Sequence, residues 1–208
     1  MLPVILIGGG GHAKVCMDVL SLLNIQVLGY VTPDAAPPSL PFVRIGDDEA
    51  VLHYPASSIA LVNGIGFHPE HERRKKAYST FKDKGYSFLS IVHPSAVVAE
   101  GVHLSEGVQI MAGAILQPGT HIEENTIVNT RASVDHDCRI GPHVHLAPGS
   151  LLCGGVTVQQ DAYIGAGATI IQGIRIHEKS LIGAGSVVVR EVRPHTKVYG
   201  VPAREVTK

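Results

Sequence analysis

Asp135-His136-Asp137 and His143-Val144-His145 crowd three histidines and two carboxylates into one stretch, NTRASVDHDCRIGPHVHLAPGS, at residues 129–150. Histidine titrates near neutrality, and a neighbouring carboxylate fixes its tautomer, which is what a general base requires. The same side chains bind zinc when three or four of them converge at roughly 2.1 Å. Surface histidines commonly do neither and are simply solvated. A second candidate is Gly8-Gly9-Gly10-Gly11-His12, which follows the apolar run VILI and fits the dinucleotide pattern as Gly8-x-Gly10-x-x-Ala13. Amides and the dipole at a helix N-terminus favour any diphosphate, so the pattern does not single out a dinucleotide. A third is Gly165-Ala166-Gly167, which recurs 18 residues later as Gly183-Ala184-Gly185.

That offset of 18 belongs to a wider rule. From residue 96 to 191 the chain divides without insertion into sixteen hexads, from AVVAEG to SVVVRE, and the third residue of every one is Val, Leu or Ile. The first residue is always Ala, Ser, Thr, Cys, Val or Ile. First and third positions therefore face inward as alternate residues of a strand, and three hexads complete one triangular coil of a parallel β-helix. Sixteen hexads give a little over five coils, a prism about 25 Å tall at roughly 4.8 Å per coil. The two Gly-Ala-Gly segments then stack on adjacent coils, where a strip without side chains gives a thin ligand access to backbone amides or merely turns a corner.

In this frame His136 is a fifth residue and His145 a second residue, outward or corner positions rather than core ones. A metal site within one chain needs ligands near 18-residue offsets. His103 and His121 have that offset, but Arg139 follows them, and His136 has Pro118 below and Gly154 above. The spacing thus argues against a metal centre. Acid–base chemistry fits better, because a corner lets Asp135 or Asp137 reach the ring or backbone of His136. Nine residues separate His136 from His145, half a coil, so a shared site implies a second subunit.

Residues 1–92 follow other periods: VILI, KVCMDVLSLL, VLGYV, IALV and the charged PEHERRKKAYSTFKDKG predict strand, helix, strand, strand, helix. This is the pattern of a doubly wound α/β domain, with Pro33, Pro37, Pro38 and Pro41 in a loop at its edge. Seventeen basic against 18 acidic residues give a formal charge of -1, with no block of one sign to attract nucleic acid or a membrane surface. The first residues read as a strand rather than a leader, and Cys16, Cys138 and Cys153 form no Cys-x-x-Cys pair. Both features predict a cytoplasmic protein with reduced thiols.

GGGGHAKV near the start, the hexads, VDHDCRIGPHVHLAPGS in their middle and VYGVPAREV at the end occur in one order. Together they resemble the bacterial nucleotide-sugar acetyltransferases that include sialic acid O-acetyltransferases and amino-sugar N-acetyltransferases. The resemblance implies a Rossmann-like domain at 1–92 that binds the nucleotide sugar and a left-handed β-helix at 93–208 that carries acetyl transfer. It implies acetyl-CoA as co-substrate, no metal, and a homotrimer with active sites between subunits. By similarity His136 is the catalytic base and Asp137 its partner, an Asp where some members carry Glu. His145, Gly154, Ala166, Ala184, Val201 and Pro202 fall on the acetyl-CoA track, with Gly154 and Gly155 as candidate oxyanion donors. Gly10, Gly11, His12, Gly64 and Gly66 fall on the nucleotide sugar. Thr32 stands where similar chains often carry Asp, which leaves Thr32 or Asp34 to meet the nucleotide.

The expected reaction is N-acetylation of the 4-amino group of a nucleotide-linked dideoxy amino sugar in surface-glycan biosynthesis. The alternatives are O-acetylation of a sugar hydroxyl such as that of sialic acid, a non-catalytic trimeric sensor of nucleotide sugars, and metal-dependent hydration. Thiol release from acetyl-CoA separates the first two from the sensor.

Overall fold

A computed structural model describes residues 2–33, 40–67 and 72–206. It divides into two compact units, Met1–Pro94 and Ser95–Lys208. Asp34 and the prolines at 37 and 38 lie outside the described residues.

The first unit comprises β1 (Val4–Ile7), α1 (Gly11–Leu22), β2 (Val27–Val31), β3 (Arg44–Gly46), β4 (Ala60–Asn63) and α2 (Arg73–Asp83). The four strands form one parallel sheet in the order β3-β2-β1-β4. Every residue of β1 is buried, which is why VILI is a continuous apolar run rather than an alternating one. Strand order reverses at β1, so the carboxyl ends of β1 and β4 open the crevice where such sheets take ligands. Ala77, Tyr78 and Phe81 of α2 pack in one cluster with Ile5, Ile7 and Leu61 of the strands.

Two local elements escape the sequence pattern. The edge strand β3 has only three residues, too few to show a period, and the 3-10 helix Asp48–His53 follows it. The first helix also begins at Gly11, ahead of the apolar run at 14, because Gly10 is extended and serves as its N-cap.

In the second unit each hexad contributes a two-residue strand, paired in parallel with the strand 18 residues on, as in His103↔His121↔Arg139↔Thr157↔Arg175. Three faces result. Face 1 stacks the strands at 97, 115, 133, 151, 169 and 187; face 2 stacks those at 103, 121, 139, 157 and 175; face 3 includes those at 109, 127, 145, 163 and 181. All third-position residues from Ile110 to Val188 are buried, as are the first-position residues from Val108 to Ser186 except Ile174.

The small polar residues at first positions have a specific task. The hydroxyl of Thr120 donates to the carbonyl of Asp135, Thr126 does the same to Gly141, and the Cys138 thiol points at the Cys153 carbonyl at 3.3 Å. Each staples a buried side chain to the corner fifteen residues on, satisfying a carbonyl that the short strands leave over. Burial pushes the Cys138 thiol up to about 11 and that of Cys16 up to about 12, so both stay neutral. An antiparallel pairing of Lys197–Tyr199 with Arg204–Glu205 ends the prism. No described helix is long and apolar enough to cross a membrane.

Candidate active site

His136 stands at the corner between faces 1 and 2, with a carboxylate on either side. Its Nδ1 lies 2.8 Å from Asp137 Oδ2, and its backbone N–H donates to Asp135 Oδ1 at 2.8 Å. An ionised carboxylate only accepts, so Nδ1 carries the proton and Nε2 presents its lone pair outward. The hydrogen bond that Nδ1 donates to Asp137, followed by the charge of Asp135, raises the imidazole above its ordinary value. Within the single chain the two side chains are 61% and 73% exposed.

Asp137 achieves its position through an unusual backbone, with φ of 60°, in the left-handed region that L-residues with side chains seldom occupy. Two glycines make room for the pair. A Cβ on Gly119, one coil below, would sit 2.5 Å from Asp137 Oδ1, and one on Gly154, one coil above, would sit 2.5 Å from His136 Nε2. The imidazole thus lies over bare backbone, with its basic nitrogen at Gly154.

The two glycine amides differ. Gly155 N–H donates to the His136 carbonyl at 2.9 Å as part of the coil-to-coil stacking. It is therefore committed to the scaffold and is not an oxyanion donor. The Gly154 amide makes no such bond among the described residues.

His145 differs from expectation. It occupies an outward position of face 3, yet it is only 9% exposed. Its ring packs on Tyr163 at 5.3 Å between centroids, and its Nε2 lies 3.3 Å from Asn129 Nδ2. Neighbours on adjacent coils cover it, a consequence of the short coil pitch that hexad position alone does not reveal. Asn129 escaped notice in the sequence. Its signal is a polar residue in a corner column that otherwise reads Met111, Ala147, Gly165, Gly183.

The Gly-Ala-Gly column has two physical causes. Gly165 and Gly183 are spacers, since a Cβ on the first would lie 2.6 Å from the Ala184 amide and one on the second 2.2 Å from the Tyr199 ring. Gly167 and Gly185 turn the corner at φ of 65° and 66°, and with Ala166 and Ala184 they are exposed. Val201 and Pro202 are exposed at the turn of the closing hairpin. Among the described residues no group of three or more His, Cys, Asp and Glu side chains could hold a metal ion; the rings of His103 and His121 lie 5.5 Å apart between centroids, tilted at 37°.

In the first unit, Gly10 and Gly11 have open space where a Cβ would be, at the start of α1. The turn at 64–66 lies against this segment: a Cβ on Gly8 would meet Ile65 Cγ1 at 2.9 Å, one on Gly64 would meet Ala13 Cβ at 3.0 Å, and one on Gly66 would meet His12 Cβ at 3.3 Å. The two glycine segments thus pack closely on one another, with Gly64 buried and Gly10 and Gly11 exposed at the start of α1. Thr32 is buried at the end of β2, and its carbonyl accepts from Arg44 Nη2 at 2.8 Å.

Residues 119–154 match the family Bacterial transferase hexapeptide (six repeats). A curated relative, the GDP-perosamine N-acetyltransferase of Escherichia coli O157:H7, is 36% identical over 82 residues, which span 39% of this chain and 37% of that protein's length. The crystal structure of PerB from Caulobacter crescentus in complex with CoA and GDP-perosamine is similar throughout, with a TM-score of 0.89 and 39% identity over 99% of this chain and 97% of that one. The acetyltransferase domain of PglB from Neisseria gonorrhoeae FA1090 is similar at a TM-score of 0.91 and 27% identity, over 99% of this chain and all of that domain.

Proposed function

This chain belongs to the nucleotide-sugar acetyltransferases built on hexapeptide repeats, and on that premise we propose that it moves an acetyl group from acetyl-CoA to the 4-amino group of a nucleotide-linked dideoxy amino sugar in surface-glycan biosynthesis. The observation that carries the proposal is His136, held at Nδ1 by Asp137 with Nε2 over bare Gly154. The complex of PerB with CoA and GDP-perosamine supports the same pair of ligands here.

The sugar amine attacks the thioester carbonyl, forming the C–N bond, while His136 Nε2 takes its proton. The C–S bond then breaks, and the imidazolium returns the proton to the departing thiolate. Asp137 holds the tautomer and stabilises the imidazolium, and the Gly154 amide is the candidate donor to the developing oxyanion. His145, Ala166, Ala184, Val201 and Pro202 line the path of acetyl-CoA in this reading. Residues 1–92 act as a Rossmann-like domain, with Gly10, Gly11, His12, Gly64 and Gly66 on the nucleotide sugar and Thr32 or Asp34 recognising the nucleotide. Residues 93–208 form a left-handed prism, and the enzyme works in the cytoplasm.

The assembly is a homotrimer with active sites between subunits. The apolar residues Val97, Ile115 and Leu151 project from face 1 into solvent in the single chain, a stripe suited to burial against a second copy. The exposure of His136 in one chain accords with a site that a neighbour completes.

Thiol release from acetyl-CoA, measured against a panel of nucleotide amino sugars, tests the activity. His136→Ala should lose about 10²- to 10⁴-fold in turnover while retaining CoA affinity. Wild-type turnover in that variant would remove His136 from the mechanism.

A further inference from the structure

Arg74 is an arginine with no evident business in the interior. It sits in a run of charges, Glu72-Arg73-Arg74-Lys75-Lys76, whose obvious role is a solvated helix face, yet it is only 7% exposed. It occupies the first turn of α2, where no acidic residue accompanies it and where a cation opposes the helix dipole. Neither helix stability nor solubility explains that placement.

Its hydrogen bonds do. Nη1 donates to the carbonyls of Asn63 at 2.7 Å and of Ile65 at 2.8 Å. The contact is reciprocal, because Asn63 Nδ2 donates to the Arg74 carbonyl at 2.9 Å and Asn63 Oδ1 accepts from Ile65 N–H at 3.2 Å. Three of these bonds tie the end of β4 and the turn after it to the start of α2, and the fourth closes the turn on itself. The Gly64 amide adds a bond to the Ile7 carbonyl at 2.7 Å, fastening the turn to β1. Burial lowers the guanidinium to about 10, so it is still a cation at neutral pH and holds those carbonyls as a charged donor.

We infer that Arg74 is the positioning residue of the nucleotide site. By drawing the Asn63 and Ile65 carbonyls into the interior, it fixes the Gly64–Gly66 turn against Gly8, His12 and Ala13, beside the exposed Gly10 and Gly11 that open the start of α1 to a diphosphate. The inference rests on the nucleotide-sugar reading above and adds how that site is shaped. Arg74 itself touches no ligand. Both bonds leave Nη1, one atom further from the backbone than a lysine ammonium reaches, so lysine keeps the charge but falls short of the two carbonyls.

Arg74→Lys in the full-length enzyme is the test, with Arg74→Met as the second variant because it removes both donated bonds together with the buried charge while keeping the apolar stem. Both should raise KM for the nucleotide sugar about tenfold and weaken calorimetric binding of GDP or UDP to the same degree. KM for acetyl-CoA and the saturated kcat should stay within about twofold. A merely structural role moves melting temperature and every kinetic constant together, or leaves all of them alone, and either pattern overturns the inference. If Arg74→Lys fails to fold, Arg74→Met decides between the same outcomes. Absence of thiol release in the wild type with every nucleotide amino sugar would instead overturn the functional reading, whereas an active wild type with an unmoved nucleotide-sugar KM in the variants overturns the role of Arg74 alone.

Discussion

The three corners of the prism treat the same backbone demand differently. Each corner requires a left-handed residue once per coil. Between faces 2 and 3 the column reads Gly107, Asn125, His143, Asp161, Lys179, so four of the five carry side chains at φ between 53° and 60°. Between faces 1 and 2 it reads Gly101, Gly119, Asp137, Gly155, Gly173, and between faces 3 and 1 it reads Gly113, Arg131, Gly149, Gly167, Gly185. A side chain in the left-handed region costs about 1–2 kcal/mol, less for Asn and Asp. The first column tolerates that cost four times, so the fold does not demand glycine at a corner. The near-uniform glycine of the other two columns leaves their backbone bare, as the proposed approach of a ligand or a second copy requires. Asp137 is the single exception at the corner of His136, as Arg131 is in its own column, and the proposed role beside His136 gives its strain a reason.

The sharpest way to break this contrast is to refill the bare backbone at the site. Gly154→Ala places a methyl where Nε2 of His136 now lies, with a backbone conformation that alanine accepts. The exposed imidazole swings aside rather than disrupting the prism, so the melting temperature should hold while kcat falls about 10²- to 10⁴-fold, the usual worth of a general base. Unchanged turnover in a folded Gly154→Ala enzyme would show that the ring does not act from this position.

Asp137 separates strain from chemistry. Asp137→Gly relieves the left-handed conformation and should preserve or slightly raise the melting temperature, yet remove the partner that fixes the His136 tautomer and cost about 10- to 100-fold in kcat. The direction of the pH effect follows from the same contact. A base works only when neutral, so a raised His136 moves the acid limb of kcat/KM above the ordinary imidazole range of about 6.5. Asp137→Asn removes the largest cause of that rise, and the limb should move to lower pH. A limb that stays in place would assign it to another group.

How far the sequence carried depended on whether a relation was arithmetic or tertiary. An offset of 18 sets which residues stack, so Gly154 above His136 and Pro118 below it follow from counting. Burial of single polar residues does not follow. Hexad position leaves His145 outward, and only the rings and amides of Tyr163 and Asn129 on adjacent coils explain why it is enclosed. Arg74 was hidden for a related reason: four consecutive cations carry no periodic signal that one of them turns inward. Gly155 failed as a donor because its amide had already been taken by the coil stacking that makes the site possible. Strand β3 was lost because three residues are too few to establish an alternation.

The smallest expected effect tests the tolerant corner. Lys179 is exposed with φ of 54°, remote in the hexad frame from the corner of His136, so its strain should have no catalytic return. Lys179→Gly removes the left-handed cost and incurs the chain entropy of glycine, a net gain of about 0.5–1 kcal/mol. For a chain of this length that is a rise of about 1–4 °C in melting temperature, measured at one protein concentration because subunit association also shifts it. Steady-state constants should match the wild type. A fall in kcat on the scale of Asp137→Gly would mean that side chains at the second corner are retained for function too, and the distinction among the corners would fail.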